Sequence, residues 1–177
     1  MRLFVALSIP DSVAQALLLM QGGVPGAHWQ TREQLHLTLR FIGEVDDREA
    51  NHIDEALSAI SAPRFVLSLK GVGEFGGRKP HAIWAGAGEG VESIRHLNRK
   101  IETAMQRIGL PGDTRKFTPH VTLARLRAAS VGRVMDWLAD HALYASAPFA
   151  VNEFRLYSST LTPNGSVYVP ESVYPLD

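Results

Sequence analysis

The sequence predicts a bilobal fold of helices and strands, in which two similar halves each have the element order β-α-β-α-β. A four-residue phrase occurs twice, as His36-Leu37-Thr38-Leu39 and as His120-Val121-Thr122-Leu123. The two copies are separated by close to half of the 177-residue chain. Each copy lies in an apolar, β-branched stretch that is typical of a strand. Because the same order of elements surrounds both copies, the pattern indicates an internal duplication.

The first half, about residues 1–79, begins with an apolar strand and has the first phrase on its middle strand. The helices are assigned from capping residues and from glycine or proline at their ends. The expected elements are strand 2–9, a helix capped by Asp11 or Ser12 that stops at Gly22-Gly23, the strand from Gln34 to Gly43-Glu44, a helix capped by Asp46 or Asp47 and closed by Pro63, and strand 65–73.

The second half, about residues 80–177, repeats this order with the second phrase on its middle strand. Apolar residues at spacings of three and four predict its first helix, and Asn164-Gly165 is a strong signal for a hairpin turn. The expected elements are strand 81–85, a helix over 94–108 with Gly109 after it, strand 117–126, a helix capped by Ser130, strand 149–158, and a hairpin that ends around Tyr168-Val169. We expect the two middle strands to face each other across a cleft within one domain, 1–177.

Composition excludes several classes of protein. The absence of cysteine excludes disulfides, thiolate metal sites, iron–sulfur clusters and a cysteine nucleophile, and it fits the reducing cytoplasm. No apolar stretch reaches membrane-spanning length, so we expect no membrane partner. The net charge of zero is unlike that of proteins that coat nucleic acid non-specifically. However, eleven Lys or Arg and only four acids lie between Arg78 and Arg133, which indicates either solvated surfaces or a basic rim for a phosphorylated substrate.

Gly71-Val72-Gly73-Glu74-Phe75-Gly76 matches the glycine pattern of dinucleotide-binding proteins and follows a predicted strand. That fingerprint also needs a helix immediately afterwards, because the helix N-terminus holds the pyrophosphate. Here the chain continues through Gly77-Arg78-Lys79-Pro80 into another strand. We therefore predict a loop at this point and no nucleotide cofactor.

Side chains alternate between the two faces of a strand, so each phrase presents an imidazole and a hydroxyl on one face. Two imidazoles facing each other can divide the hydrolysis of a phosphodiester: one, neutral, accepts a proton from water, and the other, protonated, donates one to the leaving oxygen. The hydroxyls of Thr38 and Thr122 can bind the phosphate oxygens. Each histidine is paired with threonine, a poor metal ligand, so we predict no catalytic metal, although sequence alone leaves open a zinc site at His36 and His120.

Arg125 and Phe41 occupy equivalent places, each five residues after a motif histidine. Arg125 could add a cation to the phosphate site, but only if a bulge after Thr122 turns its side chain onto the face of His120. The same condition applies to Phe41, which would otherwise pack in the core and would, with a bulge, offer a ring for stacking on a nucleobase.

The two phrases and their flanks, Leu35-His36-Leu37-Thr38-Leu39-Arg40-Phe41-Ile42-Gly43-Glu44 and Phe117-Thr118-Pro119-His120-Val121-Thr122-Leu123-Ala124-Arg125, resemble the two-histidine (2H) phosphoesterase superfamily. Within it they resemble the bacterial and archaeal RNA 2′,3′-cyclic phosphodiesterases, also called 2′-5′ RNA ligases. Residues 156–161, Gly165 and Tyr168 carry the resemblance to the end of the chain.

The resemblance implies a bilobal α+β fold with two antiparallel sheets and no cofactor. It implies hydrolysis of a terminal RNA 2′,3′-cyclic phosphate to a 2′-phosphate, and also the reverse 2′-5′ ligation, with His36 as proton donor and His120 as proton acceptor. The residues themselves do not separate these two roles. The expected partner is therefore an RNA 3′ end, for example of a tRNA fragment, bound by a monomer. Two alternatives stay open: hydrolysis of small cyclic nucleotides or of ADP-ribose cyclic phosphate, and non-catalytic binding of RNA ends.

Overall fold

The computed structural model describes residues 1–177 and has ten strands, four α-helices and one 3-10 turn. The strands are β1 (Arg2–Ser8), β2 (Ala27–Trp29), β3 (His36–Glu44), β4 (Phe65–Leu67), β5 (Leu69–Phe75), β6 (Ala82–Ala87), β7 (His120–Leu126), β8 (Phe149–Val151), β9 (Glu153–Thr162) and β10 (Gly165–Pro175). The helices are α1 (Asp11–Leu19), α2 (Asp47–Ser58), α3 (Val91–Arg107) and α4 (Val131–Asp140), and the 3-10 turn is Arg32–Gln34. None of the four helices has the length and apolar character needed to span a bilayer.

The main sheet is antiparallel, and its strand order is β10-β9-β1-β3-β7-β6-β5, with β2 paired to β7. A second, two-stranded sheet joins β4 to β8. Without β10 and β2, the strand order of the main sheet is symmetric about its centre. β3 then corresponds to β7, β1 to β6, and β9 to β5. This arrangement confirms the α+β class and the antiparallel strands.

The pairing of strands shows how the two halves of the chain are interlocked. β9, from the second half, pairs with β1, whereas β5, from the first half, pairs with β6. Each half therefore contributes one long strand, β5 or β9, that pairs with the first strand of the other half. The division near residue 79 remains a proposal about the sequence repeat, since the sheet itself is continuous across it.

The two motif strands, β3 and β7, lie at the centre of the sheet and are joined by one registered pair, Leu37 with Val121. Both side chains are fully buried. The apolar faces of all four helices belong to the same core cluster as these two residues. All the helices consequently cover one face of the sheet, and the opposite face, which carries the two histidines, is left uncovered by helices.

Several boundaries predicted from the sequence are wrong, including the starts of the two motif strands, which begin at His36 and His120 instead of Gln34 and Phe117. Helix α1 begins at Asp11, so the capping position is occupied by Pro10, which has no side-chain acceptor, and the Asp11 carboxylate accepts hydrogen bonds from Arg32. The strands predicted over 65–73 and 149–158 are each broken, at Ser68 and at Asn152, so that β4 and β8 can pair outside the main sheet. The caps at Asp46 and Ser130 are confirmed.

Two strands were not foreseen in full, and both lie near the histidines. The two motif strands diverge after the pair Leu37–Val121, so the end of β7 has no partner in β3. β2 pairs with this end of β7, at residues 124–126. The hairpin at Asn164-Gly165 is confirmed, but β10 continues beyond Val169 to Pro175. The Gln34 amide donates to the Ser166 carbonyl at 2.9 Å, which ties the tip of this hairpin to the start of the first motif strand.

Candidate active site

His36, Thr38, His120 and Thr122 lie on the same uncovered face of the main sheet. All four are half-buried, whereas the residues that alternate with them, Leu37, Leu39, Val121 and Leu123, are buried in the core. His36 and His120 each directly precede a member of the pair Leu37–Val121. Because antiparallel strands run in opposite directions, the two imidazoles stand diagonally across this pair, one on each motif strand.

A β-bulge interrupts each motif strand just after its threonine. In β7, Trp84 pairs with Thr122 and Ile83 with Ala124, so Leu123 is the extra residue. In β3, Ala6 pairs with Thr38 and Val5 with Arg40, so Leu39 is the extra residue. A bulge of this kind turns the following residues over relative to strict alternation. The bulge that Arg125 needs in order to face the same side as His120 is thus present after Thr122. An equivalent bulge follows Thr38 in β3.

The bulges bring Arg125 and Phe41 onto the face of the histidines. Both side chains are exposed, whereas the residues before them, Ala124 and Arg40, are buried. Phe41 is 38% exposed, and the Arg2 guanidinium lies 5.0 Å from the centre of its ring. The cation therefore covers part of the aromatic surface that a nucleobase would use.

Arg40 holds the bulge of β3 in place. Its guanidinium forms a buried ion pair with Glu102 of α3 and donates to the carbonyl of Phe41 at 2.7 Å and to that of Pro111. Asn98 of α3 donates to the Leu39 carbonyl at 2.8 Å. The same helix thus fixes the bulged segment before Phe41 and the loop that leads to the second motif strand.

Backbone carbonyls orient both imidazoles in the same way. His36 Nδ1 lies 2.7 Å from the Gln34 oxygen, and His120 Nδ1 lies 2.6 Å from the Thr118 oxygen. Since a carbonyl can only accept, each Nδ1 carries the proton, and Nε2 is left to exchange a proton with a bound molecule. Nε2 of His36 is also 2.9 Å from the Thr38 hydroxyl, so the first histidine and threonine act as one hydrogen-bonded unit.

Burial lowers the pKa of both histidines. The pKa of His36 falls from 6.5 to about 4, mainly because burial penalises the charged ring, with further lowering by Arg125 and His120. The pKa of His120 is lowered for the same first reason, and Arg125 again adds to the effect. The hydrogen bonds to the Gln34 and Thr118 carbonyls oppose these shifts. Both rings are therefore neutral at pH 7 in the free protein, and Arg125 is close enough to influence both.

Aromatic residues that the sequence reasoning did not assign form a wall around each histidine. Phe4 packs on His36 with ring centres 4.8 Å apart, and Tyr168 meets the same imidazole edge-on at 5.2 Å. Tyr157 stacks on Phe4 at 5.2 Å. Around His120 the neighbours are Phe75, edge-on at 5.0 Å, and Trp84 at 6.1 Å. Tyr157 and Tyr168 lie in the C-terminal segment that carried the family resemblance, and this was the only signal for them in the sequence.

The glycine pattern at 71–76 has a packing role next to this wall. Residues 69–75 form strand β5 and are followed by a turn, as predicted, and not by a helix. A Cβ on Gly73 would come within 2.3 Å of the Trp84 ring. The glycine is therefore needed so that the indole can lie across β5 beside His120.

Sequence comparisons match the chain to a known family over most of its length. Residues 10–162 match the model of the 2′-5′ RNA ligase superfamily. An Archaeoglobus fulgidus protein named RNA 2′,3′-cyclic phosphodiesterase is 33% identical over 95% of this chain and 96% of its own length. A Thermotoga maritima protein of the same name is 32% identical over 95% and 91%.

Solved structures agree with the fold over nearly the whole chain. A crystal structure of a Thermus thermophilus protein matches with a TM-score of 0.83 and 26% identity, over 99% of this chain and 97% of the other. The crystal structure of E. coli LigT complexed with 3′-AMP matches with a TM-score of 0.81 and 25% identity, over the same shares of the two chains. Because the family model matches residues 10–162 and the Archaeoglobus relative is 33% identical over 95% of the chain, the chain belongs to the 2′-5′ RNA ligase superfamily.

Proposed function

We propose that the protein is an RNA 2′,3′-cyclic phosphodiesterase that hydrolyses a terminal cyclic phosphate to a 2′-phosphate without a metal ion. The observation that carries the proposal is the pair of imidazoles, each fixed at Nδ1 by a backbone carbonyl, which leaves Nε2 of each ring as the atom that exchanges a proton. The names of the Archaeoglobus and Thermotoga relatives support the choice of substrate.

The proposed reaction needs one proton donor and one proton acceptor. His120 Nε2 accepts a proton from water as the water oxygen attacks phosphorus. The bond between phosphorus and the 3′-oxygen breaks, and His36 Nε2–H protonates that oxygen. The product is a 2′-phosphate beside a 3′-hydroxyl, and one water has been consumed. If the 5′-hydroxyl of a second RNA attacks in place of water, His120 Nε2 accepts its proton, the bond between phosphorus and the 3′-oxygen breaks, and His36 Nε2–H protonates that oxygen, which leaves a 2′-5′ phosphodiester.

Thr38, Thr122 and Arg125 would hold the phosphate during this reaction. Hydroxyl and guanidinium donors stabilise the negative charge that builds on the non-bridging oxygens. Phe41 lies at the end of the site away from Arg125 and would stack on the nucleobase, sharing its ring with Arg2. The site is therefore asymmetric, with a cation at one end and an aromatic ring at the other.

The assignment of donor and acceptor rests on the family resemblance. In the free protein burial lowers the pKa of both histidines, so these shifts do not distinguish the donor from the acceptor. A bound phosphate anion offsets the charge of Arg125 and raises the pKa of both rings. The roles are then set by which imidazole lies beside the leaving 3′-oxygen, and we propose that this is His36.

The direct test is incubation with an oligoribonucleotide that ends in a 2′,3′-cyclic phosphate, followed by phosphorus NMR of the product. We expect a 2′-phosphate that resists an enzyme specific for 3′-phosphates. A 3′-phosphate would reverse the substrate orientation, and binding without turnover would refute catalysis. We further propose that the enzyme acts as a monomer in the cytoplasm on RNA 3′ ends such as those of tRNA fragments.

A further inference from the structure

Four of the eleven basic residues noted in the sequence lie at one end of the site. Three chain segments meet there: the turn before β6, the end of β7, and β2. Arg125 of β7 pairs with Ala82 of β6 on one side and with His28 of β2 on the other. Backbone bonds extend the contact, since Leu126 N–H donates to the His81 carbonyl and Arg127 N–H to the Gly26 carbonyl, both at 2.9 Å. We call this region the basic end; its residues are His28, Arg78, Lys79, His81, Arg125 and Arg127.

The charges of the basic end are exposed and uncompensated. All six side chains are exposed, and none of the five ion pairs of the protein includes them. The acid nearest in sequence is Glu74, which occupies the strand position before Phe75 and accepts a hydrogen bond from the Gly77 amide at 3.0 Å. The basic end therefore carries four positive charges, and none of them is paired with a carboxylate. They belong to Arg78, Lys79, Arg125 and Arg127.

A line of aromatic contacts connects the catalytic centre to this region. The ring of Phe75 meets His120 edge-on at 5.0 Å and stacks on His81 with a centroid distance of 6.1 Å. His81 directly follows the turn that carries Arg78 and Lys79. Because neighbouring strands are about 4.8 Å apart, the region from β2 across β7 and β6 to β5 extends for about 14 Å, which is longer than the cyclic phosphate itself requires.

We infer that the basic end binds the phosphodiester backbone of the RNA on the 5′ side of the cyclic phosphate, with Phe75 and His81 beneath the adjoining nucleotide. This inference rests on the proposed function and adds to it a preference for oligonucleotides over mononucleotides. Exposed cations that follow a backbone, combined with rings on which bases stack, are the usual means of binding single-stranded nucleic acid.

The test compares kcat/KM for a mononucleotide 2′,3′-cyclic phosphate and for an octaribonucleotide with the same end, over a series of salt concentrations. In the Arg78→Gln, Lys79→Gln double variant, kcat/KM for the octamer should fall about two- to fivefold for each charge removed, the range for exposed ion pairs. The effect should appear mainly in KM. The slope of log kcat/KM against log salt for the octamer should decrease by about 0.7 for each phosphate that the variant no longer neutralises.

The matched control is Arg99→Gln, Arg107→Gln. Both arginines are exposed, have no ion pair, and lie on α3, which covers the other face of the sheet. This variant should leave the ratio of the octamer and mononucleotide values unchanged. An equal loss in the control, an equal loss on both substrates in the Arg78, Lys79 variant, or wild-type kcat/KM independent of RNA length would overturn the inference.

Fluorescence anisotropy of the same octamer separates this inference from the proposed function. If the wild-type protein turns over neither substrate, the proposed function fails, but binding of the octamer can still be measured. Weaker binding by the Arg78, Lys79 variant than by the Arg99, Arg107 variant would then support the basic end as an RNA contact. Equal binding by the two variants would refute it.

Discussion

Leu37 and Val121 form the single registered pair that joins the two motif strands, and each directly follows a motif histidine. Both are fully buried beneath the site. The pair lies where the two halves of the sheet meet, so the distance between the imidazoles depends on how the halves pack and not on either strand alone.

Replacing either histidine should abolish most of the activity. We expect His36→Ala and His120→Ala each to lower kcat by about 10²–10⁴-fold, the usual contribution of a positioned acid or base. Initial rates on an oligoribonucleotide cyclic phosphate test this, with folding checked by circular dichroism. His52→Ala, at an exposed position on α2, is the control. A folded variant at either motif histidine with wild-type turnover would be incompatible with the mechanism.

A substrate with sulfur in place of the leaving 3′-oxygen should reveal which histidine is the acid. A thiol has a pKa of about 8.5, so a thiolate can leave without being protonated. If His36 is the donor, His36→Ala should regain most of its activity on this substrate, whereas His120→Ala should remain inactive. Rescue of His120→Ala instead would exchange the two roles.

The catalytic rate should depend on the hydroxyls of Thr38 and Thr122 more than on the shape of these side chains. Thr38→Val and Thr122→Val should each cost roughly 1.5–3 kcal/mol in the transition state, the range for hydrogen bonds to charged groups, or about 10–100-fold in rate. Thr→Ser keeps the hydroxyl and should retain most of the activity. Wild-type kcat/KM in either valine variant would indicate that the threonine is there for packing.

The pH dependence should lie on the acid side of neutrality. Catalysis needs one neutral and one protonated imidazole, so kcat/KM should be bell-shaped. Since the pKa values of both free histidines are lowered, we expect the maximum below pH 6.5. Arg125 lowers both pKa values, so Arg125→Gln should move the profile to higher pH as well as reduce activity. Arg125→Lys keeps the charge and should keep the position of the maximum; a shift equal to that of the glutamine variant would contradict this explanation.

The same lowered pKa makes stability depend on pH. His36 binds a proton in the unfolded chain near pH 6.5 but in the folded protein only near pH 4. Between these values the unfolded state holds more protons, so the free energy of unfolding should rise from about pH 4 to about pH 6.5. Urea unfolding across this range should show a smaller rise in His36→Gln than in wild type, whereas His52→Gln should retain it. An unchanged rise in His36→Gln would mean that other groups cause it.

The buried Arg40–Glu102 pair should be a large contributor to stability. Arg40→Met leaves the Glu102 carboxylate without its partner and should cost about 3–5 kcal/mol. Measurement is by urea unfolding, with Arg115→Met, whose ion pair with Asp113 is exposed, as a control that should change stability by about 0.5 kcal/mol or less. Adding Glu102→Leu to Arg40→Met should recover part of the loss; no recovery would indicate that the bonds to Phe41 and Pro111 are what matters.

The placement of the candidate reacting groups was predictable from sequence because it depends on local alternation. A histidine and a threonine two residues apart in a strand must share a face, and the apolar residues between them must face the core. Repetition of that pattern near half the chain length was enough to indicate two facing imidazoles, and the capping residues Asp46 and Ser130 indicated where two helices begin. The bulge after Thr122 could only be stated as a condition, because a strand carries no sign of it until its partner strand is known.

What only the tertiary structure decided involves residues far apart in the chain. The exchange of β5 and β9 between the halves, the breaks at Ser68 and Asn152, and the aromatic wall of Phe4, Tyr157 and Tyr168 all depend on which strands pair. Strand pairing is a non-local choice, made by burial of the whole sheet against the helices, and a single strand pattern is compatible with several partners. The sequence by itself therefore determined which groups could react, whereas the tertiary structure determined their surroundings: the burial that lowers the histidine pKa values and the grouping of cations around Arg125 at the basic end.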